Sequence, residues 1–197
     1  MYLKYVGCVG IVLMFSGCNV LPGLMLQQQM TDAEVTKENV SFNTSNQAHL
    51  RIYYDSANIV SYPDKSCTAW KQSKFKNYFK AVGSSLPNHE IIQIGMPVTE
   101  GSLAVFKPKT GWGVKPTYKE FVVSANQPFV LDARYVDAVV KNESCQIAGE
   151  FIPKAGEQYE ARYKQTANSC SLTINRINTA QKAQVYAVES PNLIKRC

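Results

Sequence analysis

Histidine is scarce in this chain of 197 residues: His49 and His89 are the only two, and neither stands in an H-E-x-x-H or comparable ligand spacing. That removes most hydrolytic schemes. A serine nucleophile needs a base, yet no G-x-S-x-G elbow lies near either histidine. Acidic residues number only 15, and their spacing singles out no pair for glycan cleavage. The cysteines form no C-x-x-C or other close pair, which argues against structural zinc and against dithiol redox chemistry. Long apolar runs are missing as well, since nothing approaches the roughly 20 consecutive apolar residues of a membrane-spanning helix. No catalytic residue, metal or cofactor is expected.

What remains is an ordinary globular composition. Hydrophobic residues make up 45% and charged residues 18%, enough apolar material for a closed core and too much for a largely disordered chain. The length suits one domain. A formal charge of +6 favours anionic neighbours weakly. No nucleic-acid recognition motif accompanies it, so nucleic acid is not expected as a partner.

The N-terminus carries the most specific signal. Lys4 supplies one positive charge, Val6 to Phe15 is an apolar run of ten, and Ser16-Gly17-Cys18 follows. Ten residues fit the h-region of a signal peptide and are too few to span a bilayer. Phe15-Ser16-Gly17-Cys18 resembles the lipobox of bacterial lipoproteins, small residues ahead of an acceptor cysteine. The resemblance covers residues 1–18. It implies cleavage before Cys18, a diacylglycerol thioether on its thiol and a further acyl chain on its new amine. Two or more chains give stable anchoring, at ~0.8 kcal/mol per buried methylene. Asn19 is not the aspartate that the family associates with inner-membrane retention, so the outer membrane, facing the periplasm or the cell surface, is the implied destination.

Residues 18–46 contain Pro22-Gly23, three consecutive glutamines and scattered Asn, Ser and Thr, without a strong period. They are expected to form a lipidated, flexible tether, with residues 1–17 as the leader and 47–197 as the folded domain. In that domain short runs of β-branched and aromatic residues alternate with Gly, Pro, Asn and Asp punctuation. Strands are expected at His49 to Tyr54, Asn58 to Tyr62, Ile91 to Met96, Thr117 to Ser124, Phe129 to Val140 with a break, Cys145 to Ile152, Gln158 to Gln165, Cys170 to Ile177 and Ala183 to Val188. Tyr159, Ala161 and Tyr163 share one face against Glu160, Arg162 and Lys164, so each strand should have a dry side and a wet side. Pro153 to Gly156 and Thr166 to Ser169 are expected as hairpin loops. The expected fold is mainly β, an antiparallel two-sheet sandwich of the immunoglobulin or transthyretin kind with at most one or two short helices. Arg51-Ile52-Tyr53 resembles a segment of the sandwich lipoprotein of type VI secretion systems, an example of the class.

Behind Cys18 stand Cys67, Cys145, Cys170 and Cys197, an even number suited to an oxidising envelope. Three pairings can be drawn. Cys145 shares a face with Ile147 and Phe151, and Cys170 with Leu172 and Ile174, so both thiols point into the core. They can bond only if their strands are neighbours or face each other across the sandwich. Cys145 with Cys170 is favoured, which leaves Cys67 with Cys197.

Two segments are candidate contact surfaces. Between Trp70 and Lys80, four lysines interleave with four aromatics in eleven residues; Trp70, Lys74, Lys76, Phe79 and Lys80 are the residues expected to engage an anionic surface or a partner. Trp112 sits between glycines in the loop from Lys107 to Pro116, and loops on a rigid β scaffold commonly carry binding. A non-catalytic membrane-tethered module contacting an envelope protein or a cell-wall component is expected. The alternative is a periplasmic enzyme or inhibitor acting on glycan or peptide.

Overall fold

A computed structural model describes residues 33–54, 57–73, 90–108, 116–136, 144–166, 169–180, 182–189 and 192–197. The chain separates into two compact units, Met1–Thr31 and Asp32–Cys197, and all of these residues lie in the second. The leader, Cys18 and most of the expected tether lie outside the described residues. So do His89, Lys74, Lys76, Phe79, Lys80 and Trp112.

Ten strands are described: β1 Glu34–Lys37, β2 Gln47–Tyr54, β3 Asn58–Tyr62, β4 Glu90–Gln93, β5 Thr117–Ser124, β6 Phe129–Val136, β7 Ser144–Phe151, β8 Gln158–Thr166, β9 Ser169–Arg176 and β10 Lys195–Arg196. They form a six-stranded sheet in the order β1-β4-β5-β2-β8-β9 and a four-stranded sheet in the order β10-β7-β6-β3. The fold is a mainly β, two-sheet sandwich. Its smaller sheet is antiparallel as expected. The larger sheet is mixed, because β1–β4, β4–β5 and β2–β8 pair in parallel. Parallel neighbours need long crossover connections in place of hairpins, and a strand's own alternation carries no mark of its partner's direction.

The core lies where the two inner faces meet. Ala48, Leu50 and Ile52 of β2 pack with Leu131 and Ala133 of β6, Tyr159, Ala161 and Tyr163 of β8, and Leu172 and Ile174 of β9. These residues hold the dry parity that the sequence marks. Cys145 of β7 and Cys170 of β9 bond across the sandwich, with Cα atoms 6.1 Å apart. Cys67 bonds Cys197, with Cα atoms 5.2 Å apart.

Four expectations are corrected. Glu34–Lys37 is paired strand inside the stretch expected as tether; its one apolar side chain, Val35, is exposed, so no period betrays it. Pro153 to Gly156 links β7 of the smaller sheet to β8 of the larger and is no hairpin, since turn residues mark a reversal without saying in which sheet the next strand lies. The loop closing Thr166 against Ser169 does join antiparallel neighbours. Residues 183–188 form no strand and make only the isolated bridges Thr99 with Tyr186 and Ile177 with Val188. This segment instead runs beside the outer edge of β9. The N–H of Glu189 donates to the Arg176 carbonyl and that of Leu193 to Ile174, while Asn192 accepts from the Ile174 N–H and donates to the Leu172 carbonyl.

The fourth correction concerns Trp70. Residues 67–73 are helical (α1), with Ser66 Oγ accepting from the Ala69 N–H and a Glu150 carboxylate oxygen accepting from the Cys67 N–H at the helix start. Trp70 is 5% exposed and packs on Val130 and Ala148, the outer face of the smaller sheet. It covers a sheet and presents no contact surface, because the indole's large apolar area is best removed from water there.

Candidate functional site

The outer face of the larger sheet is where charge is buried. The register sets Glu120 of β5 and Glu160 of β8 on either side of Arg51 of β2, three charged residues in one row across three adjacent strands. All three are 3% exposed or less. The expected wet face is therefore dry at its centre. Its cover is the segment 94–106, which includes the short helix α2, Glu100–Ala104, and sets Val105 against Tyr53, Tyr118 and Ile91.

Every donor of the Arg51 guanidinium group is engaged. Nε and Nη2 donate to Glu120 Oε1 at 3.0 and 2.7 Å, and Nη1 donates to Glu160 Oε1 at 2.7 Å. Nη2 also reaches the Pro97 carbonyl at 2.9 Å and Nη1 the Thr99 hydroxyl at 3.4 Å. Burial alone lowers the Arg51 pKa, but the acidic groups around it outweigh that and raise it above its usual range, so the group stays charged.

The two carboxylates tie the cover to the sheet. Glu120 Oε2 accepts the N–H groups of Ile94 and Met96 at 2.7 and 3.2 Å. Gly95 between them has φ +91, a conformation that lets two nearby amides converge on one oxygen and that suits glycine. This also explains why β4 ends at Gln93, short of the expected Met96: the next amides serve a carboxylate. Glu160 Oε1 accepts from Tyr53 OH at 2.6 Å and from Thr99 Oγ1 at 2.5 Å. Thr99 caps α2 by accepting the Ser102 N–H. Burial, then the neighbouring Glu160, raises the Tyr53 hydroxyl above its ordinary range and keeps it a donor.

Two cavities flank this row. One, of about 430 Å3, is lined by Lys37, Asn39, Gln93, Gly95, Tyr118 and Glu120 among others. The second, of about 310 Å3, is lined by Tyr53, Gly101, Ala104, Val105, Lys107, Pro108, Pro116 and Arg162. Lys107, Pro108 and Pro116 belong to the two ends of the loop that carries Trp112. Among the described residues no group of three His, Cys, Asp or Glu side chains is placed to hold a metal ion.

His49 occupies the next row of the same face. Phe42 stacks on its ring at 3.7 Å, and Nδ1 lies 3.0 Å from Gln158 Oε1. Nε2 is buried without a hydrogen-bond partner among the described residues. Burial lowers the His49 pKa below 6.5, outweighing the Gln158 hydrogen bond and the Glu120 charge, which both raise it. The unfolded chain therefore takes up a proton near pH 6.5 that the folded chain resists, and this contribution to stability is lost as pH falls below that value. In urea titrations at descending pH, His49→Gln should lose stability less steeply than the parent; equal slopes would assign the acid sensitivity elsewhere.

No protein-family model, curated protein or solved structure matches the chain. The sequence missed Glu120, Glu160 and Thr99 as members of a buried site, and Arg162 as the half-exposed cation beside it. One signal was present. β2 reads Ala-His-Leu-Arg-Ile-Tyr-Tyr, with apolar or aromatic residues at both parities, the pattern of a strand covered on both faces.

Proposed function

We infer that this chain is a bacterial envelope lipoprotein, anchored by lipid on Cys18, whose sandwich acts without catalysis as an interaction or structural module. The observation that carries the reading is the cysteine ledger. Cys67–Cys197 and Cys145–Cys170 account for every cysteine behind position 18. That suits an oxidising compartment and leaves Cys8 and Cys18 outside the pairs; Cys8 belongs to the leader, so Cys18 is the thiol the mature chain would offer for acylation. A non-catalytic role is supported by the commitment of both buried carboxylates: each serves Arg51 and the segment that covers the sheet. Lipid supplies location, with the outer membrane as destination, and the loops supply contact with an envelope protein or a cell-wall component.

Membrane fractionation of cells expressing Cys18→Ser tests the anchor. The variant should move to the soluble fraction, and the native mature chain should begin at Cys18 with the mass of its acyl groups. An unmodified cysteine there, or an intact leader, sinks the reading. For the module, a cross-linked envelope pull-down is compared with one in which Lys74, Lys76 and Lys80 are neutralised. Loss of a defined partner supports it, whereas turnover of cell-wall glycan or peptide by the purified protein overturns it.

A further inference from the structure

The geometry points to an anion-binding site in the cavity lined by Tyr53, Gly101, Lys107 and Arg162, with Arg162 and Lys107 as the binding groups and a phosphodiester monoanion as the ligand. Arg162 is held in place before any ligand arrives. Its guanidinium carbon lies 3.5 Å from the centroid of the Tyr53 ring, and that ring is itself fixed by the hydroxyl's bond to Glu160. Alongside, the backbone of Gly101 lies so close that a Cβ there would collide with Arg162 Nη2. A planar cation stacked on an aromatic face and hemmed at its edge by a bare backbone loses little freedom when it binds.

Among the described residues its donors are nevertheless largely unspent. The carboxylate that pairs with it is Glu160, whose Oε2 lies 3.7 Å from Nη2, longer than a hydrogen bond. Glu160 Oε1 is already taken by Arg51, Tyr53 and Thr99. The Arg162 side chain remains 43% exposed. Of the eight described residues that line the cavity, two are cationic and none is acidic. Among the described residues, Arg51, Arg162 and Lys107 set against Glu120 and Glu160 leave one positive charge, which matches a ligand bearing one negative charge.

The remaining walls select further. Val105, Pro108 and Pro116 are apolar and give room for the substituents of a diester. They also lower the local dielectric, which strengthens a charge-assisted hydrogen bond. A phosphodiester reaches this site either as a soluble molecule or as a phospholipid head group. The site itself stands apart from the anchoring reading, and only the second source draws on it.

The test uses the full chain carrying Cys18→Ser, titrated with dimethyl phosphate and followed by NMR. Saturable shifts at the Gly101 and Lys107 amides and the Arg162 side chain are expected. Arg162→Gln should weaken that binding about tenfold or more, the value of a lost charge-assisted hydrogen bond. Should Arg162→Gln fail to fold, Lys107→Gln at its exposed position carries the same test, with several-fold weakening expected. Absence of saturable shifts, equal binding by the variants, or an equal response to acetate overturns the proposal. Sedimentation with vesicles then separates the sources. Binding to phosphatidylcholine vesicles, with or without phosphatidylglycerol, that Arg162→Gln abolishes assigns the diester to lipid; binding to neither, with the titration intact, assigns it to a soluble molecule.

Discussion

Replacing Arg51 with methionine is expected to cost the folded state about 3–5 kcal/mol, the penalty for leaving buried carboxylates without their cation. An exposed ion pair contributes far less, up to about 1 kcal/mol, so burial decides which figure applies. Here the side chains of Arg51, Glu120 and Glu160 are at most 2% exposed and the two ion pairs are both 2.7 Å long. The loss is not confined to charge. The Pro97 carbonyl and the Thr99 hydroxyl lose a donor, so the segment 94–99 is held less firmly to the sheet. Hydrogen exchange at the Ile94 and Met96 amides should accelerate along with the fall in urea midpoint. Arg51→Lys should fall between the two, because a single ammonium keeps the charge but cannot reproduce the fork. A methionine variant within about 1 kcal/mol of the parent would mean that water reaches the row and that its burial is not what holds the cover down.

Removal of the Cys67–Cys197 bond by Cys197→Ser should be comparably damaging. The bond spans 130 positions, and closing a loop of that size removes about 5 kcal/mol of unfolded-chain entropy in the chain-entropy model. Cys145–Cys170 spans 25 and is worth about 3.5 kcal/mol by the same relation. The long bond has a second effect. Cys197 packs at the rim of the cluster formed by Trp70, Val130 and Ala148, and its N–H donates to the Ala148 carbonyl. Without the bond, β10 is left with only its short pairing to β7, and α1 loses its tie to the sheet beneath Trp70. Guanidinium denaturation of the two serine variants should rank Cys197→Ser below Cys145→Ser. The reverse order would show that packing across the sandwich outweighs loop closure.

The strands and their inner faces were legible because period-2 alternation needs only neighbouring residues. β3 and β5 begin and end where the sequence places them. The favoured cysteine pairing drew on the same alternation, which pointed both thiols inward; of the two arrangements it left open, neighbouring strands or strands facing across the sandwich, the structure has the second. What failed depends on facts about other parts of the chain. Arg51 lies 69 positions from Glu120 and 109 from Glu160, and no local pattern announces that three charged residues will share a row and be covered. Glu160 and Arg162 alternate with apolar residues and so read as solvent-facing. Trp70 misled for a related reason: lysines close beside it in sequence suggested an exposed surface, yet the helix that carries it sets its ring on Val130 and Ala148 of the smaller sheet.

The last strand of the larger sheet ends in something other than water. Along β9, main-chain groups that an incoming strand would seek are already answered by Glu189, Leu193 and the amide of Asn192, which imitates a peptide unit. Between Leu172 and Arg176 a second copy of the chain therefore finds these groups already occupied, which blunts that stretch of border as a template for extending the sheet.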